Sequence, residues 1–210
     1  MEINPIMKEI PMQNSSLSAF ALASIAAAIV LFCVVFGGYT SFYRSQNRIE
    51  DSKTALVKSC RERMLLLPVL SGFLERVSPD IPPPMGQEKA NALLMDVLQQ
   101  KRPLEEKMTK DFENSQTGLT MQIKEIFARL KDISEPKSME EIESLKQKFF
   151  KAQDNLYVAG DQYHYEVSYF NGRVQSFPVS LIAKLFGFHK IIYYPFSDQA
   201  FLPARKAFEP

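Results

Sequence analysis

The chain has two cysteines, two histidines, eight glycines and no tryptophan in 210 residues, and each scarcity closes a route to function. Cys33 lies in an apolar run and Cys60 in the polar part of the chain. If that run crosses a bilayer the two thiols cannot meet within one molecule, and neither has a cysteine or histidine at metal-ligand spacing. Both read as packing residues. No Cys/His pair has a carboxylate placed to orient it, no Gly-rich loop can cradle a phosphate, and there is no Gly-x-Ser-x-Gly elbow. Asp161 and His164, three apart on a helix face, form half of a carboxylate-bridged metal site. The second such pair that the full site requires is absent, so a solvated surface pair is the ordinary reading. Twenty-five Lys+Arg against 24 Asp+Glu leave a net charge of +1, without the basic stripe of a nucleic-acid binder. These absences predict no catalytic residue, no cofactor, no metal and no nucleic acid. An enzymatic or metal-binding helical bundle is the alternative.

What is abundant is apolar helix. Leu17 to Phe36 reads LSAFALASIAAAIVLFCVVF, and no residue between Glu9 and Arg44 is charged. A bilayer core needs about 20 such residues. Only residues 1–16 precede the run, and they are too short and polar to bury it as a core helix. A cleaved signal peptide has a basic start and a shorter apolar region, whereas here only Lys8 is basic and the run continues into Gly37-Gly38. The reading is a short extracytoplasmic tail over 1–16, a transmembrane helix over 17–39, a cytoplasmic helical bundle over 40–177 and an apolar C-terminal segment over 178–210. Orientation follows from Lys8 before the span against Arg44, Arg48, Lys53, Lys58, Arg61 and Arg63 after it. Basic residues stay on the cytoplasmic side, so the N-terminus faces out. Phe36, Tyr39, Phe42 and Tyr43 stand where an interfacial aromatic belt belongs.

Beyond the span, Ile49, Leu56, Cys60, Met64, Leu67, Leu70 and Leu74 recur at three-, four- and seven-residue steps and predict a helix over 40–76. Pro68 should kink it, because it removes a backbone donor and crowds the preceding turn. The proline-rich stretch 78–84 is a stiff connector. A second helix is predicted over 87–114, broken near Pro103, and a third over 119–133. After Pro136, Ser138 and Glu141 have capping-box spacing. Ile142, Leu145, Phe149, Ala152, Leu156, Ala159, Tyr163, Val167, Phe170, Val174 and Phe177 then make five heptads of one seam, ended by Pro178. This helix and the first would each be about 56 Å long at 1.5 Å per residue. Matched lengths with single seams predict an all-α, elongated, antiparallel bundle of four-helix type, whose last helix returns toward the membrane.

The end of that helix is distinctive. Tyr163, Phe170-Asn171 and then Phe177-Pro178-Val179-Ser180-Leu181-Ile182-Ala183-Lys184-Leu185-Phe186-Gly187-Phe188, followed by Tyr193-Tyr194-Pro195-Phe196, resemble the C-terminal signature of the LemA family. Members show two Tyr-Asn pairs, a Phe-Pro and an apolar run ending Gly-Phe. Tyr39-Thr40, Arg61-Glu62-Arg63 and Leu65-Leu66-Leu67-Pro68-Val69 fall at the spacing of the family's earlier motifs. Thr40 and His164 stand where the family has Asn, Leu65 and Val69 replace an Asp and an Asn, and Asn155 replaces an arginine, so the chain reads as a divergent member. The resemblance implies a membrane-anchored, non-catalytic scaffold or adaptor with its N-terminus out. It points to membrane-protein quality control beside a membrane protease or, in one divergent branch, biogenesis of the magnetosome organelle.

Asn171, Phe177, Pro178, Leu185, Phe186, Gly187 and Phe188 are the candidate residues for partner or membrane contact. Asn171 lies among aromatics, and its amide either fixes helix register or sits one step off the seam in water. The run after Pro178 either caps the bundle end or lies in the membrane interface. Expected partners are membrane lipid and other membrane proteins, in the cytoplasmic or an internal membrane, with homo-oligomerisation left open.

Overall fold

The computed structural model describes residues 15–83, 85, 86, 92, 106–133, 136–191 and 202–208. Most of them are helical, and no strand occurs among them, so the fold is all-α. Helix α1 runs without a break over Ser15–Met64, about 75 Å at the standard rise. Its first half is long and apolar enough to cross a membrane, and its large apolar side chains, Phe20, Leu22, Ile25, Ile29, Leu31, Phe32 and Phe36 among them, stand exposed. Its second half is the strut of the bundle. Phe42, Ile49, Leu56, Arg63 and, beyond the end of α1, Leu70 follow one another every seven residues, and all five are buried.

The expected kink at Pro68 is displaced. Helix α1 ends at Met64, and α2 (Leu67–Val77) begins afresh with Pro68 in its first turn. Leu66 donates its N–H to Arg63 O at 3.2 Å in a tightened last turn. A proline is tolerated in a first turn, where its missing N–H has no helical acceptor to reach, so the break falls ahead of it.

Helix α3 spans Glu106–Arg129 and passes into a 3-10 turn over Leu130–Asp132. It corrects the division into helices ending at 114 and starting at 119, since the chain stays helical through Ser115, Thr117 and Gly118. A mid-helix glycine costs about 1 kcal/mol. Phe112, Leu119, Ile123, Ile126 and Leu130, all buried, outweigh it. Most of the expected helix over 87–114 lies outside the described residues.

Helix α4 covers Pro136–Gln175. It starts two residues before the expected cap, with Pro136 at its first position, so Ser138 sits inside the first turn and is buried. The capping box does not form, and Glu141 instead accepts from Arg76 at 2.7 Å on the surface. From Leu145 to Phe170 every seam position is buried, but Phe177 lies beyond the helix end and is exposed.

Helices α1 and α4 form the main interface. Arg76 meets Glu141 at one end, and Phe42 meets Phe170 edge-on at 5.8 Å at the other. Helix α4 therefore returns to where α1 enters the bundle.

Candidate functional site

At the near end, Pro178 stops α4 and the chain turns into α5, Val179–Leu185; the Phe177–Pro178 peptide bond is cis. Helix α5 lies on α1 so closely that a Cβ on Gly38 would overlap Ile182 Cδ1. It closes with a Schellman turn. Phe188 donates its N–H to Ala183 O at 2.8 Å and Gly187 to Lys184 O at 3.4 Å, while Gly187 holds a φ of +72°. A side chain is strained in that region by about 1–2 kcal/mol. Gly187→Ala should lower stability by about that amount, read from the unfolding midpoint of the detergent-solubilised chain; an unchanged midpoint would mean the turn is dispensable.

The turn aims Phe188 back at α1. Its ring stacks on Phe42 at 4.9 Å and meets Tyr39 at 5.9 Å, while Phe186 meets the same tyrosine at 4.9 Å. Arg173 lays its guanidinium over the Phe42 ring, 4.7 Å from the centroid. The cluster is closed by Asn171, whose Nδ2 donates to Ile191 O at 2.9 Å and whose Oδ1 accepts from Ile191 N at 2.8 Å. The amide thus pins the chain after Phe188 to α4. It sets the path of the C-terminal segment rather than the register of two helices, because it is half-buried beside the seam. Of the expected contact residues, Phe188 is buried, Phe186 half-covered, and Phe177 and Leu185 open to the outside.

The second feature was not singled out from the sequence. Arg63, with 1% of its surface exposed, is held by neutral groups from two other helices. Its Nη1 donates to Thr120 Oγ1 at 2.8 Å and Gln153 Oε1 at 2.6 Å. Its Nη2 donates to Gln116 O at 3.3 Å and to Gln116 Oε1. In this orientation the buried Gln116 Nε2 has no partner among the described residues. Gln153 passes the link on, its Nε2 donating to Leu202 O at 2.8 Å, and Ala204 N donates to Asp154 Oδ1 at 2.7 Å. Residues 202–204, expected at the bundle end or the membrane, therefore dock halfway along α4, ahead of the short helix α6, Ala204–Phe208. The signal for the node was present. Arg63, Gln116, Thr120 and Gln153 each fall three or four positions from buried apolar neighbours on their own helix, in phase with its seam.

Burial pulls the Arg63 guanidinium down to about 10 and pushes the Cys60 thiol one turn away up to about 12, against the pull of the Arg63 charge. Burial also raises the Tyr163 phenol to about 12, helped by the Glu50 carboxylate. An unfolded Cys60 ionises near its ordinary value of 9.0, whereas the folded thiol keeps its proton to about 12. Folding then retains one extra proton, so this contribution to stability is intact below pH 9 and falls as pH rises, by at most about 1.4 kcal/mol per unit. Tyr163 acts with the same sign and Arg63 with the opposite one, but only from about pH 10. Between pH 9 and 10 the unfolding midpoint of the wild type should decline, and Cys60→Ala should flatten that limb. Parallel slopes would contradict a buried thiol.

No cluster of His, Cys, Asp or Glu suited to a metal occurs among the described residues, and His164 and Asp161 both face outward. The LemA family profile matches residues 85–204. The chain belongs to the LemA family. The matched stretch holds α3, α4 and α5, and with them Gln116, Thr120, Gln153, Asn171 and the Gly187-Phe188 turn. Arg63 and the apolar half of α1 lie ahead of it. No curated protein and no solved structure matches the chain. The exposed apolar half of α1 could span a membrane, which is consistent with a membrane-anchored member of the family.

Proposed function

We propose that this LemA-family chain is a non-catalytic scaffold, anchored N-terminus out, which presents its bundle on the cytoplasmic face of a membrane to other membrane proteins. One observation carries the reading: the candidate span and the bundle strut are a single uninterrupted helix, Ser15–Met64. An enzyme merely tethered to a membrane does well with a flexible linker, whereas a rigid connection fixes which faces of the bundle look along the membrane. Those faces carry exposed Tyr157, Tyr165 and Tyr169 on α4, a residue type favoured at interfaces. The process served is membrane-protein quality control or organelle-membrane biogenesis of the magnetosome kind, the two roles that the family resemblance offers.

Two measurements test the proposal. A reporter that works only in cytoplasm, fused after Pro210, should be active, in keeping with the one-to-six imbalance of basic residues across the span; activity of a periplasm-dependent reporter reverses the topology. A photo-crosslinking residue at exposed Tyr165 should give discrete adducts with membrane proteins in cells, and the same residue at buried Tyr163 none. Stoichiometric iron, manganese or zinc in the purified chain, or adducts with lipid alone, would overturn the scaffold in favour of a metal-binding bundle or a passive anchor.

A further inference from the structure

Helix α5 carries the wrong polarity for a helix that faces water. Val179, Ile182 and Ala183 pack inward, as a cap requires. The outward stripe is apolar as well, with Phe177 81%, Leu181 58% and Leu185 68% exposed. Leu181 and Leu185 are four apart on α5, which lines them up on one side, and Phe177 is exposed in the turn that leads into the helix. Exposed Lys184 stands beside them, and exposed Arg44 follows on α1, six residues past Gly38.

The height of this stripe relative to the span is fixed by the Gly38–Ile182 contact and by Tyr39 between Phe186 and Phe188. Gly38 is two residues past the end of the apolar run, about 3 Å along the helix axis. Interfacial helices sink their apolar face about 5–10 Å into the boundary between headgroups and acyl chains. The stripe thus stands level with the place where the exposed apolar surface of α1 ends.

We propose that Phe177–Phe186 is a second membrane contact, an interfacial wedge whose Phe177, Leu181 and Leu185 side chains enter the leaflet from which α1 emerges. Lys184 and Arg44 reach up to the headgroups from their apolar stems. The wedge rests on α1 crossing the bilayer, and it adds a fixed rotation: with one helix through the membrane and a second lying in its surface, the bundle cannot spin about the α1 axis.

The test uses the full chain carrying Cys33→Ala, reconstituted in vesicles of phosphatidylcholine and phosphatidylglycerol. Buried Cys60 stays unlabelled. An environment-sensitive fluorophore is attached in turn through Leu185→Cys, Leu65→Cys and Phe32→Cys. Leu65 is an exposed apolar residue at the far end, about 43 Å from Phe36 by helix rise. Lipids bearing a nitroxide at a shallow acyl position should quench the probe at 185 several-fold more than the probe at 65, and aqueous iodide should reach 185 poorly. Deep nitroxides should quench the probe at 32, which reports the span by itself. Quenching at 32 with none at 185 overturns the wedge and leaves the span standing; no quenching at 32 overturns both. A probe at 185 that is shielded from iodide yet untouched by lipid nitroxides is covered by a protein or a second copy, which also overturns the lipid assignment.

Discussion

Replacing Arg63 with alanine is expected to lower the unfolding free energy by about 3–5 kcal/mol, because it empties several buried acceptors at about 1–3 kcal/mol each. The loss has little to do with the charge as such. Gln116 Oε1, Gln153 Oε1 and Thr120 Oγ1 were desolvated on the understanding that a guanidinium would meet them, and a buried acceptor left empty costs about 1–3 kcal/mol. The reverse deletion, Gln153→Leu, should also destabilise, because the guanidinium then lacks an acceptor, and it should free Leu202, the other partner of that amide. Arg63→Met combined with Gln116→Leu and Gln153→Leu should cost less than the sum of the single changes, since neighbours in one network are not additive. Denaturant unfolding of the detergent-solubilised chain measures these variants and the single changes they are compared with. If Arg63→Ala stays within about 0.5 kcal/mol, as surface changes do, the node has been misjudged.

Leu156→Ala should cost about 2–5 kcal/mol, the range for removing a fully buried leucine side chain. Leu156 has 0% of its surface exposed and lies at the centre of the seam that α4 presents to α1. Two companions give the comparison its meaning. Glu140→Ala, on the exposed side of the first turns, should stay within about 0.5 kcal/mol. Phe177→Ala, the last member of the same sequence seam, should do likewise in detergent, because the helix ends before it and leaves the ring exposed. A large loss at Phe177 or none at Leu156 would show that the α1–α4 seam is placed wrongly.

Periodicity made the α4 seam readable as far as Val174, because apolar spacing on one helix is a local property. It failed at Phe177 for a reason visible only at Pro178, where the turn releases the chain from the helix. The division of α3 near Gly118 followed local propensity, and packing of Phe112, Leu119 and Ile123 overrode it. The capping box at Ser138 lost to Pro136, which starts the helix earlier. Arg63 was hidden by expectation rather than by pattern. It continues the series Phe42, Ile49, Leu56 at the same interval, but an arginine is seldom fully buried, and its acceptors come from 53 to 90 positions away in the chain. Asn171 was legible as unusual and illegible as to role, since its partner, Ile191, lies twenty positions downstream.

The unbroken passage of α1 from lipid into the bundle makes the chain a lever. From Phe36, where the apolar run ends, to Met64 the helix rises about 42 Å at 1.5 Å per residue. A span tilts to match the thickness of the bilayer that holds it. A change of about 10° in that tilt sweeps the far end of α1 through about 7 Å, taking the 42 Å arm from the helix rise. A difference of a few ångströms in membrane thickness thereby becomes a larger lateral displacement at the Arg76–Glu141 end, where the bundle stands deepest in solution.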